Sequence, residues 1–197
     1  TGASAYLEQN TFTTCTEGFY AYNPDDGSSI IVFNNEFDFS GTLPSPTSSN
    51  PVPAYPTTRF AWIAGISTVN PAIYGFVMDN SPIINPETGI EISNVEFDYG
   101  TNGPSVYNNY VNFTQNADEI NRYGIRFKDC IEAVAEGNYI DWTGGSPTPS
   151  NTAGRKIYGI SLESGQHCSA INNYLNYNGR GLTSLDCQHA FSSTFSC

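Results

Sequence analysis

The chain has 197 residues, and nineteen acidic against seven basic side chains give it a formal net charge of −12. That balance argues against a nucleic-acid partner, whose phosphates need a basic footprint, and disfavours an anionic membrane surface. No apolar run approaches the roughly 20 residues of a membrane-spanning helix. Gly, Asn, Ser, Thr, Tyr and Phe are abundant and strong helix formers scarce, so an all-β chain forming one domain over 1–197 is expected. Thr1 follows neither Met nor a signal-like segment, which reads as a processed mature protein or a piece of a longer one.

In chain order, the first element is Asn10-Thr11-Phe12, the opening instance of a phrase made of Asn, a variable residue, an apolar residue and often an aromatic soon after. Gly18-Phe19 begins a second phrase, glycine then apolar. Ile30 and Val32 alternate with their neighbours into Asn34, and Asn35-Glu36-Phe37-Asp38-Phe39 repeats the first phrase. A Pro/Ser/Thr-rich insertion, 40–58, follows. Gly75-Phe76, then Ile90 and Ile92, Asn94 and Val95-Glu96-Phe97-Asp98-Tyr99 restate the pattern before a second insertion, 100–121. Gly124-Ile125 opens the alternating run Ile125-Arg126-Phe127-Lys128. Ala133 and Ala135 lead through Gly137 to Asn138-Tyr139-Ile140-Asp141-Trp142, and a third insertion covers 143–156. Gly159-Ile160, Ala170, Asn172 and Asn173-Tyr174-Leu175-Asn176-Tyr177 give the shortest version. Gly181-Leu182, Ser192 and Ser193-Thr194-Phe195-Ser196-Cys197 give the last.

Repetition of this kind means stacked structural units. Alternating apolar and polar residues make half-buried strands. The column Asn34, Asn94, Gly137, Asn172, Ser192 holds residue types that mostly tolerate left-handed backbone, so a tight bend is expected before each third strand. Beyond it Phe37, Phe97, Ile140, Leu175 and Phe195 should share one inward column. The predicted fold is a right-handed parallel β-helix of about six coils. Its three insertions leave after the same strand, project from one side and mark a binding face. Tyr55, Trp62, Tyr107 and Tyr110 are the candidate aromatics of that face.

The Gly-Ile…Asn-Asn-x-Leu wording of 159–175 resembles the parallel β-helix repeats of the pectate-lyase-like superfamily, and as an architectural pattern the resemblance covers about the whole chain. It implies the fold and not an activity. Lyases of that kind want calcium beside an Arg or Lys base, and Arg126 and Lys128 lie on a different phrase from the acidic residues. The related hydrolases carry a Gly-His-Gly that is absent here. Asp25-Asp26 sits in a turn and Arg155-Lys156-Ile157 has the wrong order. No catalytic residue is carried over.

If successive third strands stack about 4.8 Å apart, Glu36 and Asp38 lie over Glu96 and Asp98, with Asp141 extending the column. Three readings stay open for such a patch: bound Ca²⁺, a carboxylate pair sharing a proton, or a solvated acidic face. A register slip of one residue would abolish it. Five cysteines without zinc-site spacing suggest disulfides and an extracellular, cell-surface or virion-surface setting. One pair among Cys130, Cys168 and Cys187 could be internal. Cys15 and Cys197, at similar places in the first and last coils, could link protomers stacked head to tail. His167 and His189 recur beside Cys168 and Cys187, as repeat history explains.

Two functions follow as expectations. The first is a structural or assembly protein of a filament, sheath, layer or spike, built by self-association of β-helical protomers. The second is a carbohydrate-active or glycan-binding β-helix.

Overall fold

The computed structural model describes residues 4–13, 15, 17–22, 24–39, 59–65, 72–97, 105–114, 122–143 and 157–177. Among them there are strands and no helix. The first turn contains β1 (Ser4–Glu8), β2 (Thr11–Thr13) and β3 (Glu17–Tyr22), and the second β4 (Ser28–Phe33), β5 (Glu36–Asp38) and β6 (Arg59–Ala64). The third contains β7 (Ala72–Met78), β8 (Ile83–Ile84) and β9 (Thr88–Ser93). In the fourth, β10 (Glu96–Phe97) and β11 (Val106–Tyr107) share one level, followed by β12 (Tyr110–Phe113) and β13 (Arg122–Lys128). The fifth contains β14 (Val134–Glu136), β15 (Tyr139–Trp142) and β16 (Ile157–Glu163), and the sixth β17 (Ser169–Ile171) and β18 (Tyr174–Tyr177).

All pairing is parallel and joins each strand to its equivalent in the next turn. A first sheet runs β1-β4-β7-β11-β14-β17, a second β2-β5-β8-β12-β15-β18 and a third β3-β6-β9-β13-β16. The molecule is a right-handed parallel β-helix, six strands deep in its first two sheets. Alternation places one residue in two inside. The inward column of the second sheet is Phe12, Phe37, Ile83, Val111, Ile140 and Leu175. Phe37, Ile83 and Val111 are fully buried, as are Ile90, Ile125 and Ile160 of the third sheet.

Two of the expected columns need correcting. Phe97 is not in the column with Phe37: it pairs with Ile73 at the start of the first sheet. Asn94 does take left-handed backbone, like Asn34, Gly137 and Asn172, but its bend leads from the third sheet into the first. Between Phe37 and Ile140, where one turn carrying Phe97 is expected, the column passes through two. Ile83 and Val111 occupy the intervening places, and the second lies inside the supposed insertion 100–121. That stretch is therefore not one loop. Residues 98–104, between β10 and β11, and 115–121 lie outside the described residues. Departures 40–58, 115–121 and 144–156 all fall between the second and third sheets, whereas 98–104 does not. Phe195 and Ser192 lie outside the described residues.

The bend between the first two sheets carries a continuous hydrogen-bonded ladder of asparagines. Asn10, Asn35, Asn80, Asn109, Asn138 and Asn173 follow one another through the six turns, each donating its backbone N–H to Oδ1 of the next at 2.9–3.1 Å. Each side-chain amide except that of Asn10 also reaches a first-sheet carbonyl of the turn before, as Asn80 reaches Val32 at 3.1 Å. Backbone groups that the bend would otherwise bury unpaired are satisfied in this way. The glycine phrase has its own cause. Gly18, Gly89 and Gly124 follow the outward residue at the start of the third sheet, where a Cβ would come within 2.5–2.7 Å of the next turn's carbonyl oxygen, while β6 carries the buried Phe60 at that level. A Cβ on Gly124 would sit 2.6 Å from the Gly159 carbonyl oxygen and 2.9 Å from Ile140. Gly75 lies instead in β7 of the first sheet.

Candidate functional site

The outer face of the third sheet carries aromatic and charged side chains in three columns. The register aligns Glu17, Arg59, Thr88, Tyr123 and Tyr158 in one, and Tyr20, Trp62, Glu91, Arg126 and Ser161 in the next. Tyr22, Ala64, Ser93, Lys128 and Glu163 form the third. These side chains hold one another. Tyr20 stacks on Trp62 with ring centroids 4.5 Å apart, and the Arg59 guanidinium lies 4.0 Å from the Trp62 centroid. Arg59 Nε is 3.3 Å from Glu91 Oε2, and Arg126 approaches the same oxygen from the next turn at 3.9 Å. Arg126 then forms a two-pronged pair with Glu163, Nε to Oε1 at 3.0 Å and Nη2 to Oε2 at 2.8 Å. Its guanidinium covers Tyr123 at 4.7 Å, and Tyr123 lies nearly parallel to Tyr158 with centroids 4.8 Å apart.

The electrostatics follow from these contacts. The hydrogen bond to Glu163 raises Arg126 above its ordinary value, against the effect of burial. Burial pushes Glu163 up, but the hydrogen bonds from Arg126 and Ser161 and the Arg126 charge outweigh it, leaving the carboxyl below its ordinary value. Glu87, just before β9, is raised because burial outweighs the attraction of Arg59 and Arg122. Arg122 is 1% exposed, and its Nε and Nη1 have no hydrogen-bond partner among the described residues. Burial, partly offset by Glu87, lowers it to about 10. The Trp62 indole N–H is likewise buried without an acceptor among the described residues.

The expected carboxylate stack does not form. Glu36 pairs with Thr11, and Asp38 with Thr13 and Ile84. Asp141 shares the Asp38 column, but Ile84 and Asn112 stand between them. Glu96 lies at the first sheet against Ala72 and Ile131, and Asp98 is outside the described residues. The unrecognised turns that displaced Phe97 displaced Glu96 too. Among the described residues no three His, Cys, Asp or Glu side chains come close enough to hold a metal ion.

The candidate aromatics scatter as well. Trp62 is on the third sheet, Tyr107 on the first and Tyr110 on the second, because all three belong to strands and not to loops. Tyr55 lies outside the described residues. Cys15 is an exposed thiol, and Cys130 and Cys168 are buried free thiols, so those two form no internal disulfide. Cys187, Cys197 and His189 lie outside the described residues, and His167 takes left-handed backbone at a bend. Reading the sequence placed Arg126 and Lys128 outward but missed Glu91 and Glu163 as partners. Counting equivalent positions from each glycine would have aligned Glu91 with Arg126 and Glu163 with Lys128, one outward position from Arg126.

Fold and face together define a parallel β-helix whose outward third-sheet side chains order one another, exposed at Tyr20 and Tyr22 and buried at Thr88, Glu91, Ser93 and Ser161. No family model matches the chain, and neither a curated protein nor a solved structure matches it.

Proposed function

We propose that this β-helix is a carbohydrate-binding protein and that an extended glycan lies on the outer face of the third sheet. The observation that supports it is the run of Tyr20, Trp62, Arg59, Arg126, Tyr123 and Tyr158 across consecutive turns, tied together through the buried Glu91. A sugar chain offers weakly apolar C–H surfaces beside closely spaced hydroxyls. Aromatic rings with charged hydrogen-bonding groups between them suit both, and side chains already ordered lose little freedom on binding. A parallel sheet repeats these groups at about 4.8 Å, which favours a polymer over a small molecule. Glu163, held below its ordinary value by Arg126, suits holding a ligand better than protonating a leaving group, since a general acid needs a raised pKa. The ligand chemistry fits a cell or virion surface.

Affinity electrophoresis through gels containing cellulose derivatives, xylan, mannan, soluble chitin or polygalacturonate tests the reading. Retardation by at least one polymer, lost in a Tyr20→Ala/Tyr22→Ala double variant that keeps its melting temperature, is the expected result. Unretarded migration in every gel contradicts it.

A further inference from the structure

Alternation turns Tyr110, Tyr139 and Tyr174 outward on the second sheet, because their neighbours Val111, Ile140 and Leu175 fill the core. The register sets the three tyrosines in one column on consecutive turns. Turns lie about 4.8 Å apart, which is a stacking distance for aromatic rings. Tyr139 and Tyr174 use it: their centroids are 4.6 Å apart and their planes 25° from parallel. Both rings are open to water, at 37% and 43% exposure.

Three further tyrosine pairs each lack one of these properties. Tyr110 meets Tyr139 edge-on at 5.3 Å and 73°, is only partly exposed, and has its hydroxyl 3.5 Å from Asp141 Oδ2. Tyr123 and Tyr158 stack at 4.8 Å, but both are partly buried and the Arg126 guanidinium covers Tyr123. Tyr20 and Tyr22 are exposed, yet their centroids are 6.0 Å apart and Tyr20 stacks on Trp62 instead.

We propose that Tyr139 and Tyr174 are an oxidative modification site, where hydrogen peroxide acting through a haem peroxidase joins them in a dityrosine bridge that ties the fifth turn to the sixth. Each phenol gives up one electron and its hydroxyl proton, leaving two phenoxyl radicals side by side. A C–C bond then forms between ring carbons ortho to the two oxygens. The hydrogen on each of those carbons leaves as a proton and each oxygen regains one, so both rings are phenols again. The pair has lost two electrons and two protons, which reduce one hydrogen peroxide to two waters. The strand backbones of β15 and β18 are already paired, so side-chain torsions alone open the stack into joined rings. Groups held together in this way react at a high effective concentration, which favours the link within one chain over a link between chains.

Treating the intact chain at low concentration with hydrogen peroxide and a haem peroxidase tests the proposal. The expected product is a monomer two hydrogens lighter, whose digest contains peptides joined through Tyr139 and Tyr174. Tyr174→Phe keeps the ring, loses the phenol and should abolish that link. Oxidation in urea, where the register is gone, should scatter links among the tyrosines and between chains. Absence of an intramolecular link, a native link that joins another tyrosine pair in preference, or the Tyr139–Tyr174 link formed equally well in urea each overturns the proposal. Retardation in polysaccharide gels is read on the third-sheet face, so either claim can fail without the other.

Discussion

Oδ1 of Asn109 accepts both the backbone N–H and the side-chain amide of Asn80, at 3.1 and 2.9 Å, across a full turn of the helix. Both residues are at most 1% exposed. Asn109→Ala strips two buried donors of their acceptor and frees the Val77 and Tyr107 carbonyls that Asn109 Nδ2 serves. Leaving buried polar groups unpaired costs about 1–3 kcal/mol each, so a total loss near 3 kcal/mol is expected in urea denaturation. Asn10→Ala keeps its backbone bond to Asn35 and should cost less than about 1 kcal/mol.

Gly124 and Gly27 separate crowding from conformation. Gly124→Ala drives a Cβ against the Gly159 carbonyl and Ile140, and overpacking of this kind costs about 1–3 kcal/mol. Gly27 has open space but a φ of +74°, so Gly27→Ala should cost about 1 kcal/mol through backbone strain alone. Thermal melts should rank Gly124→Ala as the more destabilised.

The contrast between those positions shows what the sequence disclosed. Parallel coils, the left-handed bends at Asn34, Gly137 and Asn172, and the inward run Phe37, Ile140, Leu175 were legible because alternation and bend residues are local signals. Register was not. Asn109-Tyr110-Val111-Asn112-Phe113 repeats the wording of Asn138-Tyr139-Ile140-Asp141-Trp142, yet it lacks a glycine phrase directly before it. Asn80-Ser81-Pro82-Ile83 is harder still, since β8 is two residues long and no aromatic follows. Missing those two turns shifted every stacking inference that crossed them, which is why the acidic column failed while Arg126, one turn from both Glu91 and Glu163, pointed the right way.

Stability should depend on pH through the Arg126–Glu163 pair. Glu163 sits below its ordinary value in the folded protein. Its contribution is therefore complete above the unfolded pKa and disappears as pH falls through the lower folded one. Glu163→Gln should lose about 1 kcal/mol at pH 7, a value already reduced for solvent screening at this half-exposed site. The difference from wild type should close in melts well below the folded pKa, and added salt should narrow it at neutral pH.

The thiols should react in sequence. Burial raises Cys130 to about 12 and also raises Cys168, whereas Cys15 is exposed. Because the thiolate is the reactive form, a maleimide at neutral pH should modify Cys15 in the native protein. Cys130 and Cys168 should be modified only after denaturant is added, as peptide mass spectrometry can check.

The binding face is tested most directly by hydroxyl-radical footprinting, with and without whichever polysaccharide retards the protein most. The glycan should protect Tyr20, Tyr22 and Tyr123 on the third sheet, while Tyr74 on the first sheet and Tyr139 and Tyr174 on the second keep their reactivity. Protection of the first- or second-sheet tyrosines with the third-sheet residues unchanged would contradict the account, as would the absence of any retarding polymer.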